Sequence, residues 1–428
     1  MSFQNFQKAP NKLTSRDVGF LILVGVVIII LASALAAINY YLANQLKDGG
    51  EFLLLRTGGR AFLFDQIEPY SGIVPALVQE QVYSRSALPG EDVYILDIPF
   101  HLLMIFFPLA LFPDTIIARA FWMAFLEITL FVYVFLGFRL LDRQIPRFFV
   151  ILVFVACFGS FYTYYSFLEG SPAILIGLAF GGILISLKYG LDELAGALIA
   201  LSGFQWEMSG LFLLFIVLWT FWGRRWRVFI GAFMLSFILV AISFFWYPGW
   251  LLPFLRAAWN NLRAGVGFSI HDILAKLWPA FGSTLGWILT AVLIVTIGYE
   301  WVETRGSDFQ RFFWTICLTL TGTPLMGIRM ELDLLILLTM PVMIVIVISR
   351  ERWRMFGTVI AILLLLFYFG LPWLLFVQGV PSGFSLSVNE TVFLFWPLFA
   401  FIGLYWIRWW MIRPPRTWLD QVGRAYQG

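Results

Sequence analysis

The sequence predicts an all-α, polytopic membrane protein. Two observations carry this. Of 428 residues, 61% are hydrophobic and only 12% charged, about half the charge of a soluble domain. Apolar runs of about 18 residues or more, the length a spanning helix needs, also recur along the whole chain. A β-barrel would show alternating segments of about ten residues, and none dominate here.

The elements follow in order. Residues 1–17 are polar and carry Lys8, Lys12 and Arg16 ahead of the apolar run 18–43. Ala32-Ser33-Ala34 resembles a cleavage site, but the run is longer than a signal core, so it is expected to be an uncleaved anchor with a cytoplasmic N-terminus. Further spans are expected at about 115–138, 148–167, 172–188, 191–205, 208–223, 227–246, 283–302, 312–328, 332–349, 355–377 and 391–411, which makes about twelve (11–13). Residues 412–428 form a second cytoplasmic tail. Segment 99–112 is apolar but too short to span, so it is expected to lie in the interface or to re-enter.

Basic residues set the expected orientation. Arg139, Arg143 and Arg147 form one cluster, Arg224, Arg225 and Arg227 a second. Arg305 with Arg311, then Arg350, Arg352 and Arg354, then Arg408, Arg413 and Arg416 follow. Twelve spans put every cluster in the cytoplasm, as the positive-inside bias expects.

The opposite face then receives the loop 44–98, with eight acids: Asp48, Glu51, Asp65, Glu68, Glu80, Glu91, Asp92 and Asp97. It also receives Arg256, Arg263, His271, Lys276 and Arg329 from later loops. Cys157 and Cys317 lie in apolar segments and read as buried thiols. With two histidines in the chain, a His-built metal centre is not expected. No Walker loop, Rossmann fingerprint or kinase motif is present. Nothing points to a nucleic-acid partner, and the bilayer is the expected surroundings.

Carboxylates beside cations at a membrane edge suit one chemistry in particular. A carboxylate can take the proton of an acceptor hydroxyl. Arginines can hold a phosphate through charge-assisted bonds. Glu51, at the membrane edge, is the candidate base, because an ionised group at that depth is expensive and tends to be functional. Its bland alternative is a carboxylate reaching to water from a helix end.

Five landmarks carry a family resemblance. Gly50-Glu51-Phe52 is followed by Gly59-Arg60-Ala61-Phe62 and Glu68-Pro69-Tyr70. Tyr94-Ile95-Leu96-Asp97-Ile98-Pro99 precedes Pro108-Leu109-Ala110-Leu111-Phe112-Pro113. Leu168-Glu169-Gly170-Ser171, then Leu194-Ala195-Gly196-Ala197 running to Gln205, then Gly223-Arg224-Arg225-Trp226-Arg227 complete the set. In this order, across about residues 15–280, they resemble the polyprenol-phosphate-sugar-dependent GT-C glycosyltransferases, and specifically the bacterial α-mannosyltransferases of glycosyltransferase family 87. The chain departs from that pattern in places. Glu51 stands where the family has aspartate, Gly170-Ser171 where it often has Gly-Gln, and the lysine that ends the Ala-Gly helix is missing near Gln205, Trp206 and Glu207.

The resemblance implies a GT-C module over 18–280 with interfacial helices in the 44–98 loop, followed by C-terminal spans over 281–411. It implies transfer of a hexose, mannose in the family, from a polyprenyl-phosphate sugar to a glycan or glycolipid acceptor. The reaction would invert the anomeric centre on the extracytoplasmic face of a bacterial plasma membrane. The lipid-linked sugar is the donor substrate, and no cofactor or metal is implied. Glu51 would be the base. Glu68 and Asp65 can bind sugar hydroxyls or simply form a solvated face, and Tyr70 and Asp97 are further candidates at the sugar.

Other residues keep two readings. Arg256, Arg263 and Arg329 are the candidates for the donor phosphate; Arg329 can instead pair with Glu331 or Asp333. Glu331-Leu332-Asp333 fits an ion pair better than a metal site. His271 can orient a substrate, or simply belong to a helix over 272–278 capped from Ser269. Tyr162, Tyr164 and Tyr165 can stack on sugars or pack in the core. A transporter or lipid flippase, kept open by Glu127 inside a span, and an inactive relative are the alternative functions.

Overall fold

The computed structural model describes residues 26, 30, 33–45, 49–88, 91–265, 267–353, 356–379 and 386–412. The expected tails 1–17 and 412–428 lie outside the described residues, Ile412 excepted, as does much of the 18–43 anchor, of which residues 33–43 are helical. Among the described residues all regular structure is helical. One two-residue bridge interrupts this, with Phe268 and Met330 exchanging backbone hydrogen bonds of 2.8 and 3.1 Å.

Among the described residues six helices are long and apolar enough to cross a membrane: Thr115–Leu141, Trp226–Trp246, Gly282–Glu303, Asp333–Arg352, Gly357–Gln378 and Val388–Ile412. Arg147–Phe158 and Phe161–Glu169, bent by 48° to each other, make a seventh if taken as one broken span. The remaining expected spans are helical but shorter. Ala173–Tyr189 and Trp206–Trp222 have 17 residues each, Phe309–Gly322 has 14 and Asp192–Leu201 has 10. The Phe309–Gly322 helix stops just before Pro324, which has no N–H to donate to the Leu320 carbonyl. Segment 99–112 breaks into Phe100–Leu103, Met104–Phe106 and Phe107–Ala110.

The Asp333–Arg352 helix is the axis of the bundle and is almost wholly buried. It begins as a 3-10 turn over Asp333–Leu338 and continues as α-helix from Thr339. The helices Val388–Ile412, Thr115–Leu141, Phe309–Gly322 and Gly357–Leu365 pack around it. By contrast, Trp226–Trp246 turns Phe233, Phe237 and Phe245 outward, as a lipid-facing helix does. Its inner side meets Asp192–Leu201 backbone to backbone. A Cβ on Gly196 would lie 2.0 Å from the Val228 oxygen, and one on Gly231 would lie 2.2 Å from the Glu193 oxygen. Two glycines thus let these helices touch, as small residues do in membrane helix pairs.

The helix ends gather into two polar layers. One layer holds the basic clusters and their acids: Lys188 with Asp142 at 2.6 Å, Arg143 with Glu351 at 3.4 Å, and Arg408 with Glu300 at 3.0 Å. Arg225 pairs there with Asp192. The opposite ends of helices from that layer carry Ser171, Gln205 and Asp333, and Glu51 lies beside them through its bond with Gln205.

Candidate functional site

Glu51 is the second residue of the Gly50–Leu63 helix, and its neighbours aim it. The Tyr94 ring lies where a Cβ on Gly50 would be, at 2.2 Å, so only glycine allows that approach. On the other side Gly170, at φ +67°, sits against Phe52, whose Cβ would be 2.5 Å from an added one. The Trp122 indole N–H donates to the Gly170 oxygen at 2.7 Å and holds that turn. With Phe52 fully buried, the Glu51 carboxyl is left pointing into a cavity of about 550 Å³.

Five carboxylates line this cavity: Glu51, Asp97, Glu207, Glu331 and Asp333. Gln205 Nε2 donates to Glu51 Oε1 at 2.8 Å. Gln205 itself has φ +52°, a left-handed conformation that costs a non-glycine residue roughly 1–2 kcal/mol and that clusters at functional sites. Asp333 accepts from the Ser171 hydroxyl, and its backbone oxygen accepts from Ser166 Oγ at 3.0 Å. Asp97 accepts from Asn261 Nδ2 at 2.9 Å.

The opposite wall supplies His271, Arg329, Trp206 and Trp287. Ser269 caps the Ile270–Leu277 helix by accepting from the His271 N–H. Thr290 Oγ1 donates to the Met326 oxygen at 3.1 Å, so its one hydrogen is committed. His271 Nε2, 3.0 Å from that hydroxyl, is therefore the donor. A Cβ on Gly286 or Gly327 would come within 2.6 Å of the His271 ring. The Phe268–Met330 bridge brings this segment beside Arg329. Arg329 donates to the Gly265 oxygen at 2.7 Å and pairs with Asp272 at 3.0 Å. The expected pairing of Arg329 with Glu331 or Asp333 is thus replaced by one with Asp272.

Burial dominates the electrostatics. It pushes the Glu51 carboxyl well above the usual carboxylate range, and Asp333 and Glu331 add to the rise. Glu331 is raised well above it too, by burial first and then by Asp333. Asp97 is raised by burial, against the opposing Asn261 hydrogen bond. A buried carboxyl with a raised pKa is suited to general-base work near neutral pH.

The cavity thus brings together Glu51, Asp97, His271 and Arg329. It does not include the other expected residues. Glu68, Tyr70 and Arg256 line a second cavity of about 580 Å³ between the Ile73–Tyr83 and Leu251–Ala264 helices. There the Tyr70 hydroxyl donates to the Ile98 oxygen at 2.8 Å. Asp65 is exposed and lines neither cavity. Arg263 stacks over Trp259 at 5.0 Å and lines neither. The cause is helical phase. Five residues separate Arg256 from Asn261, which puts them about 140° apart round the helix, so one helix serves two cavities.

Sequence reasoning passed over Gln205, Asn261, Glu207 and Ser171 as site residues. Their signal was polar residues breaking apolar runs, as in Gln205-Trp206-Glu207. Tyr162 is core: its hydroxyl donates to the Val392 oxygen at 2.7 Å and its ring lies 4.1 Å from Trp396. Among the described residues no group of three or more His, Cys, Asp or Glu is arranged to hold a metal ion.

Fold and site together define a multi-pass, all-helical membrane protein with a buried carboxylate-lined cavity at one end of its bundle. Comparisons with protein-family models, curated proteins and solved structures return no match.

Proposed function

We propose that the protein is an integral-membrane glycosyltransferase of the GT-C type. It passes a hexose from a polyprenyl phosphate to an acceptor hydroxyl, with inversion. The observation that carries the reading is the Glu51 carboxyl, buried in a cavity it shares with Arg329 and His271. Glu51 Oε1 is occupied by Gln205, and Oε2 has no hydrogen-bond partner among the described residues. Oε2 takes the proton of the acceptor hydroxyl as that oxygen attacks the anomeric carbon. The carbon–oxygen bond to the lipid phosphate breaks, and the bonding pair leaves on the phosphate. Arg329, half exposed beside the cavity, offers the positive charge that meets the leaving group.

The bias of basic residues toward one layer supports an orientation with that layer in the cytoplasm and the cavity at the extracytoplasmic face of a bacterial plasma membrane. The test is transfer of labelled sugar in proteoliposomes, with polyprenyl-phosphate mannose as the first donor. Glu51→Gln is expected to lower the rate by roughly 10²–10⁴-fold. Equal rates for wild type and variant reject the assigned base, and substrate flux without product points to a transporter instead.

A further inference from the structure

The cavity beside Glu51 has an imbalance that the transfer chemistry leaves unexplained. Its lining carries five carboxylates and one arginine, and that arginine is already held by Asp272 and Gly265. Among the described residues, three of its buried side-chain atoms find no hydrogen-bond partner, and all three are acceptors: Glu51 Oε2, Gln205 Oε1 and Asp333 Oδ1. Asp333 is only 1% exposed. A buried polar atom left unpaired is costly, because its hydration is lost and nothing replaces it. Proton uptake can quiet a carboxylate, but the Gln205 amide oxygen takes no proton at any ordinary pH. Its need is for a hydrogen-bond donor, which a ligand entering the cavity can bring.

The kind of donor follows from the charge. A hydroxyl brings one hydrogen and no charge; an ammonium brings three hydrogens and a positive charge. Charge-assisted bonds are roughly twice as strong as neutral ones. Trp206 and Trp287 line the same space, and aromatic faces attract cations. Arg329, on the same cavity, is 47% exposed where Asp333 is buried. The cavity thus places its carboxyl groups in the interior and its lining arginine, paired with Asp272, toward solvent.

We infer that the cavity receives a protonated amine borne on a sugar, the ammonium lying against Asp333 Oδ1 and Gln205 Oε1 with Glu331 beside them. Glu51 Oε2 stays available for the hydroxyl that reacts. A phosphate near Arg329 and an amine in the interior make the fitting ligand zwitterionic. This rests on the proposed transfer only for which molecule bears the amine, the donor sugar or the acceptor.

The test is equilibrium binding to the purified full chain, with transfer measured in parallel. The donor probes are a polyprenyl-phosphate hexosamine with a free amine, its N-acetyl form and the parent hexose form. The acceptor probes are alkyl glycosides of the same three sugars. One charge-assisted bond corresponds to at least about tenfold in affinity. The free-amine probe of one series is expected to bind about tenfold or more tightly than its N-acetyl and hexose counterparts, and the series that discriminates identifies the bearer. Asp333→Asn is expected to remove most of that preference. Glu331→Gln, a less buried site, should reduce it too and covers the case in which Asp333→Asn fails to fold. Equal binding of amine and hexose forms in both series, or no binding of any probe, overturns the inference. Transfer of hexose without amine preference would leave the enzyme standing and remove this inference. Amine-selective binding without transfer from any polyprenyl phosphate would do the reverse.

Discussion

Gln205 and Glu51, 154 positions apart, are joined by a 2.8 Å hydrogen bond from the amide to the carboxylate. The bond stabilises the charged form of a carboxyl that burial, Asp333 and Glu331 all push toward protonation. Removing the donor raises the Glu51 pKa further. In Gln205→Gly the φ of +52° is also tolerated without strain, so the variant removes the side chain without straining the backbone. The acid limb of its pH–rate profile for transfer is expected to move to higher pH, with the rate well above that limb changed less. An unmoved limb separates Gln205 from Glu51 titration.

The same raised pKa has a consequence for stability. A carboxyl whose folded pKa exceeds its unfolded value binds more protons when folded. Stability therefore falls as pH rises from the ordinary carboxylate value through the raised one. Glu51 and Glu331 both act in this direction. Glu51→Gln is expected to unfold at a higher temperature than wild type at pH 7 while losing transfer. Its melting temperature should also fall less steeply between pH 5 and pH 8. Thermal unfolding in detergent across that range checks both, and a variant less stable than wild type at pH 7 contradicts the account.

How much of this was legible in the sequence depends on what each residue's role requires. Glu51 and Arg329 stood out because each is a charge at the edge of an apolar run, a local property. Asp97 and His271 were reachable because they sit in polar loops between such runs. Arg256 and Arg263 went elsewhere because helical phase decides which cavity a side chain enters, and composition does not give the phase relative to distant walls. Gln205 was hidden for a stronger reason: its role needs a left-handed backbone and a partner 154 positions away. The apolar runs marked helices well, but several of those helices are shorter than a full span. Asp192–Leu201 has only 10 residues, and its place is set by the Gly196–Gly231 approach, a contact between segments.

Gly50 is a sensitive backbone position near the site. A Cβ there would meet the Tyr94 ring at 2.2 Å, so Gly50→Ala must displace the ring or the start of the Gly50–Leu63 helix. Overpacking of this kind costs typically about 1–3 kcal/mol. Gly50→Ala is expected to be destabilised by that order and to transfer poorly, since Glu51 is the next residue. Tyr94→Leu in the same chain should recover part of both losses. A double-mutant cycle on melting temperature and rate reads the coupling, and additive effects would show that the ring is not the obstacle.

Arg329 and Asp272 form an ion pair in which the side chains are 47% and 46% exposed. Pairs so exposed contribute about 0–1 kcal/mol to stability, so Arg329→Ala is expected to fold with little loss. A charge-assisted bond to a phosphate is worth more, about 1.5–3 kcal/mol. Affinity for a polyprenyl phosphate is therefore expected to fall about tenfold or more in Arg329→Ala and less in Arg329→Lys, which keeps the charge without the planar fork. Arg263→Ala provides the contrast, because its guanidinium lies over Trp259 and off the Glu51 cavity. The fall for Arg263→Ala should be the smaller of the two. Binding isotherms at two salt concentrations check the order, and an equal or larger loss at Arg263 would move the phosphate away from Arg329.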